Sequence, residues 1–171
     1  MSLLRFLGIG KETSDEADTA SVRRIAAKLE RIQPDQAKFL AAFAYVLARI
    51  ANADLEIDPT ETAEMERSLR ALSDLSESES TLVVEIAKSQ ARLLGGTENY
   101  VVTREFRNIS TREQRGQMLQ CLYAVAAADG TISAEESSEL QAIGEELGFT
   151  RPEVNALRAH YRDKLAEFQT N

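Results

Sequence analysis

Apolar side chains recur at helical spacing along most of this chain. Val22, Ile25, Leu29 and Ile32 predict a helix over about 19–32. Phe39, Leu40, Phe43, Val46, Leu47 and Ile50 predict a second, with Pro34 in its first turn. Ala41, Ala42, Ala44, Ala48 and Ala51 fill the other sides of that helix, which predicts burial on most of its faces. A third begins after Asp58, with Pro59 at its first position and Met65, Leu69 and Leu72 turned inward. A fourth follows Ser76, whose partner Glu79 completes a capping box. It buries Leu82, Val83, Ile86, Leu93 and Leu94 and stops at Gly95-Gly96. Val102, Phe106 and Ile109 make a fifth stripe, although its Tyr100-Val-Val opening reads equally as extended chain. Leu119, Leu122, Tyr123 and Val125 lie on a helix over about 111–128, and Leu140, Ile143 and Leu147 on one that follows Ser133. Thr150 and Glu153 form another box, opening a last helix that buries Val154, Leu157, Tyr161, Leu165 and Phe168.

The order of these elements contains a repeat. Asp54, Ile57, Asp58 and Glu61 correspond to Asp129, Ile132, Ser133 and Glu136 at a constant offset of 75, each set lying between an apolar helix and a second helix. The expected architecture is all-α: a duplicated helical bundle of two pseudo-symmetric four-helix halves, about 19–94 and 97–168. The Ala-rich helices before the two Asp turns meet at its centre. Residues 1–18 read as an apolar tip and polar linker, and 19–168 as one domain.

Composition agrees with helices and narrows the function. There are only three Pro and eight Gly in 171 residues, and 43% of the chain is hydrophobic, ample for a core. No run of about 18 apolar residues spans a membrane, and the single Cys121 excludes an intrachain disulfide. A cytoplasmic protein is the expectation. The net charge of −8 is unevenly placed: residues 53–89 carry −7 and 129–171 carry −5, whereas 1–52 and 90–128 each carry +2. The acidic excess therefore starts at each Asp turn. That disfavours nucleic acid and favours cations or a basic protein partner. The tip of Leu3, Leu4, Phe6 and Leu7 offers at most weak peripheral membrane contact.

The Asp turns admit two readings. Asp54, Glu56, Asp58 and Glu61 place four carboxylates within eight residues, the way proteins gather oxygens around a hard cation. Asp129 and Glu136, with Thr131 and Ser133, form a less charged copy, and neither has the spacing of an EF-hand loop. If a divalent cation binds, the first loop binds it better. Alternatively Asp58 and Ser133 are N-caps, Glu61 and Glu136 close capping boxes, and Ile57 and Ile132 are staples. That accounts for all six residues and leaves only Asp54, Glu56 and Asp129 unexplained.

The stretch Ala127-Ala-Asp-Gly-Thr-Ile-Ser-Ala-Glu-Glu136, followed by Leu147-Gly-Phe-Thr150, resembles the tellurite-resistance TerB-like family, with its Ala-Asp-Gly-x-Ile/Leu-x-x-x-Glu signature. Tyr100 to Leu165 also resembles the C-terminal part of an uncharacterised bacterial branch. The first copy departs by having Leu55 where the signature has Gly. The resemblance covers about residues 20–168. It implies an all-helical cytoplasmic bacterial protein, divalent-cation binding and a stress-response complex near the membrane, and it implies no established enzymatic activity.

The remaining chemistry is bland. His160 is alone, without a second ligand at metal spacing, and reads as a boundary residue of the last helix. Cys121 reads as a buried structural thiol. Arg104, Arg107, Arg112 and Arg115 form a basic patch read as solvated, and no nucleophile–base pair or phosphate loop can be assembled. The sequence thus points to a non-enzymatic binding module, with Asp54, Glu56, Asp58, Glu61, Asp129 and Glu136 as metal candidates. The alternative is an interaction scaffold whose acidic helices hold a basic partner and whose turns are purely structural.

Overall fold

The computed structural model of the protein describes residues 24–25, 27–51, 59–91, 99–128 and 130–169. Residues 24, 25 and 27–30 are helical. After them come α1 (Pro34–Ala51), α2 (Pro59–Leu72), α3 (Glu77–Ala91), α4 (Asn99–Ile109), α5 (Arg112–Ala126), α6 (Ala134–Glu146) and α7 (Arg151–Ala159). Two 3-10 turns close the described chain, Arg162–Lys164 and Ala166–Phe168. Among the described residues there is no strand, only one isolated parallel bridge between Ile132 and Leu165. No described helix is long and apolar enough to cross a membrane. The fold is all-helical.

α1 is the axis on which the other helices pack. Ala37, every residue of Phe39–Ala48 and Ile50 are buried, so the helix meets neighbours on all sides. Those neighbours are chiefly α3 and α4, then α5, with a lighter contact to α6. Alanine on several faces is what makes this possible, because a methyl group lets adjoining helices approach closely at native packing density. Against α4 the contact is aromatic: Phe106 sits 5.4 Å from Phe39 and 5.8 Å from Phe43, nearly perpendicular to the latter. The Tyr100–Ile109 segment is thus helical, with Val102, Thr103 and Phe106 facing inward. α2 covers α5 and α3, while α6 sits on α5 and α4 and carries α7.

Gly144 decides how α7 seats on α6. A Cβ at this position would fall 2.6 Å from the Val154 Cγ2 atom and 3.6 Å from Leu119 Cδ2. The absent side chain therefore lets Val154 reach a three-helix junction of α5, α6 and α7.

The last helix is shorter than its apolar period predicts. α7 stops at Ala159, and residues after it turn through two 3-10 segments instead of continuing to Phe168. The backbone explains the break. Ile132 donates to Lys164 O at 2.7 Å and accepts from Ala166 N at 3.0 Å, and an α-helix through 165 would withhold those groups. Leu165 is still buried, Leu157 and Tyr161 pack half-buried against the core, and Phe168, expected inside, is 46% exposed under the Arg162 guanidinium.

Candidate functional site

The second Asp turn is built by four local devices. Its Ser133 Oγ accepts from Glu136 N at 3.1 Å, and Glu136 Oε2 accepts from Ser133 N at 2.8 Å, a reciprocal capping box. Gly130 has φ +98°, a left-handed conformation that costs side-chain-bearing residues about 1–2 kcal/mol. Ile132, just before the cap, is buried and holds the bridge to the C-terminal segment. Gln169 completes the clamp: its amide donates to Gly130 O at 2.9 Å and to Asp163 O at 3.2 Å, and its carbonyl oxygen accepts from Thr131 Oγ1 at 2.8 Å.

Of the six candidate ligands, only Glu136 has a described side chain, and the cap engages it. Asp54, Glu56, Asp58 and Asp129 lie outside the described residues, and Glu61 sits on α2 with its side chain outside them too. Among the described residues no group of three or more His, Cys, Asp or Glu is placed to hold a metal ion. Two of the other expected boxes form as well, whereas the box of Asp58 with Glu61 lies outside the described residues. Ser76 and Glu79 exchange hydrogen bonds of 3.0 and 3.2 Å, and Thr150 and Glu153 do likewise. A further box, Thr111 with Gln114, opens α5. The threonine–glutamine spacing was visible in the sequence, because Gln serves at that position as well as Glu.

Carboxylate chemistry at these caps is tuned locally. Burial pushes Glu79 upward, but bonds from Ser76 N, from Gln36 Nε2 at 2.6 Å and from the Ser76 hydroxyl outweigh it and hold its pKa below the ordinary 4.5. Glu153 is likewise lowered, first by Thr150 N and then by Arg112 and the Thr150 hydroxyl. Arg112 is solvated as expected, and in that exposed position it pairs with Glu153 and lies 4.8 Å over the Phe149 ring. Arg115 is half-buried and donates to Arg107 O at 3.2 Å.

Arg49 is the charged feature that sequence reasoning missed. Its side chain is only 6% exposed on the otherwise apolar α1. Its Nε donates to Glu139 Oε1 at 2.8 Å, and Nη1 donates to Glu146 Oε2 at 2.6 Å and to Thr103 Oγ1 at 2.8 Å. One guanidinium therefore joins α1, α4 and α6 where they meet. The available signal was an arginine between Ala48 and Ile50, together with two glutamates seven residues apart on one side of α6.

Among the described residues the buried interior offers no reactive nucleophile. Cys121 is fully buried, with its thiol pushed up to about 12 by burial and directed at Ser68 O 3.9 Å away. A thiol so far above neutrality is not a nucleophile. Tyr123 stacks on Tyr161 at 5.5 Å, and its hydroxyl is buried without a hydrogen bond. Burial raises its pKa, and the nearby Arg158 charge offsets part of the rise. His160 is exposed at the C-terminal end of α7.

These features define a class: an all-helical domain packed around one alanine-rich helix, with Ser and Thr caps opening its later helices. The sequence model of the family described as tellurite resistance protein TerB matches residues 39–159, more than half the chain, and the protein belongs to that family. No curated protein and no solved structure matches it.

Proposed function

We propose that this protein is a non-enzymatic, cytoplasmic binding module of the TerB family, acting in a bacterial stress response. Its first Asp turn takes a divalent cation on Asp54, Glu56, Asp58 and Glu61, and Asp129 with Glu136 forms the weaker counterpart. The observation that carries this reading is the excess of carboxylates in the first turn over the second. Capping, the Gly130 conformation and the Gln169 clamp account for every described residue there without a ligand. At equivalent positions the first copy carries the extra carboxylates Glu56 and Asp58, for which a cap needs only one. Cation binding would neutralise four crowded charges and rigidify the turn. The family's association with tellurite resistance supports a stress-response role. We read residues 19–168 as one domain of two repeats, about 19–94 and 97–168. The packing of α1 against α5, the helices that precede the two turns, supports that reading.

A second reading has its own support. Glu136 is engaged by Ser133 N, which favours turns that serve only as helix starts in a scaffold whose acidic α2 and α6 hold a basic protein partner. One experiment separates the two. The melting temperature of metal-stripped protein is measured with and without millimolar calcium, magnesium, manganese or zinc, for the wild type and an Asp54→Asn/Asp129→Asn variant. A bound cation at a hundredfold excess over Kd stabilises by about 2.7 kcal/mol. A rise for one cation that the variant loses supports the cation module. The absence of any selective rise overturns it and leaves the scaffold, which is then tested by charge reversal on α2.

A further inference from the structure

A cleft of about 500 Å³ opens between α6, α7 and the C-terminal 3-10 turns, lined in part by Ile132 and Leu165 of the core. That volume suits a small organic molecule rather than a lone ion. Its walls mix polar and apolar side chains. Ser133, Ser137 and Gln141 line it from α6 and its cap at spacings of four, and Arg151, Asn155 and Arg158 line it from α7 at spacings of four and three. Each set forms one helical stripe. These six polar side chains are exposed or half-exposed, Ile132, Ala134, Leu165 and Ala166 complete the lining, and the adjoining stripe of Val154 and Leu157 joins the core.

The charge in the cleft is also opposite to its surroundings. Residues 129–171 hold nine acidic and four basic side chains, and two of those four basic residues line this cleft. Arg158 is held in place rather than loose. Its Nε donates to Ser137 Oγ at 3.3 Å, while Nη2 pairs with Glu167. Glu167 itself lines the cleft from the C-terminal turn. A carboxylate of the chain therefore already occupies the anion position on the guanidinium. Arg151 contacts only Glu145, at 3.4 Å, and stays 73% exposed in its side chain. Ser138 and Asn155 line the same space without making a side-chain hydrogen bond.

We propose that this cleft binds a small organic oxyanion, its carboxylate or phosphate replacing Glu167 on Arg158, with Arg151 as second cation and the serine and amide side chains ordering the polar body. A planar guanidinium matches both oxyanions in bidentate geometry. The site is independent of any cation at the Asp turns. Replacing Glu167 also loosens the segment that carries the Ile132 bridge and the Gln169 clamp, so occupancy is transmitted to the second turn.

The test is calorimetric titration of the full chain with glycerol 3-phosphate and with malate, with inorganic phosphate and glycerol as references. Amide chemical shifts are followed in parallel. One of the two organic anions should bind and shift Ser137, Asn155 and Gly130, and which one binds tells phosphate ester from carboxylate. Glu167→Gln removes the internal competitor and should tighten binding at least threefold, whereas Arg158→Gln should weaken it tenfold or more. Arg158→Lys, with circular dichroism unchanged, keeps the charge and should retain part of the affinity, separating ligand recognition from loss of fold. No heat and no shifts with either anion overturn the proposal, as does binding that is equal in wild type, Glu167→Gln and Arg158→Gln. Binding of inorganic phosphate as strong as that of the organic anions would reduce the cleft to a surface charge and overturn it equally.

Discussion

Replacing Arg49 with Met tests whether the buried guanidinium holds three helices together. Methionine keeps most of the unbranched stem and its packing while removing the charge. What remains is Glu146, with a side chain 17% exposed, and Glu139, at 37%. Breaking a buried pair by removing one partner costs about 3–5 kcal/mol, because the other charge is left uncompensated. Glu139 is open enough to water that its share falls within about 0–1 kcal/mol. Most of the loss therefore comes from Glu146, and the expected total is about 3 kcal/mol. For a chain of this length that lowers the melting temperature by about 6–12 °C. Urea unfolding at pH 7 measures it directly, with a lower midpoint and an unchanged slope. Glu146→Gln in the Arg49→Met background should recover part of the loss, a coupling of about 1–3 kcal/mol in the double-mutant cycle. A cost below about 1 kcal/mol for Arg49→Met, or strict additivity with Glu146→Gln, would refute the argument.

Three further outcomes follow from the packing and the caps. Gly144→Ala should destabilise by about 1–3 kcal/mol despite alanine's better helix propensity, because the new methyl lands 2.6 Å from Val154; a gain in urea midpoint would contradict that. Tyr123→Phe should leave stability unchanged or raise it by about 1 kcal/mol, since it deletes a buried hydroxyl with no partner; a loss above about 1 kcal/mol in the same assay would mean that the hydroxyl is hydrogen-bonded in solution. Because the folded pKa of Glu79 lies below 4.5, its contribution is complete above that pH and disappears as pH falls through the folded value. Glu79→Gln should accordingly flatten the decline of stability below pH 4.5, and an acid limb identical to the wild type would count against the cap.

Three of the helix caps were legible in the sequence because each lies within one turn of helix. Ser76 with Glu79, Ser133 with Glu136 and Thr150 with Glu153 are partners three residues apart, and a cap forms from the chain's own local geometry whatever lies around it. The burial of α1 was legible for a related reason, since apolar and alanine residues on every face leave no side for water. The family signature, also local, was confirmed by the match over 39–159. What the tertiary structure alone decided depends on residues far apart along the chain. Arg49 meets Glu139 and Glu146 across separations of 90 and 97 residues, and no local rule says that an arginine on an apolar helix will find two carboxylates there. Tyr161, Leu165 and Phe168 keep helical spacing, yet the backbone of Ile132 captures residues 164 and 166 in a bridge, ends the helix and leaves Phe168 in water. The cleft behind that bridge has the same origin. Its Arg158 and Glu167 sit nine residues apart, and only the turn between them brings the carboxylate onto the guanidinium. Periodicity states which face of a helix is apolar, but where a helix stops and what its polar face meets are settled by the neighbours that compete for its backbone and its charges.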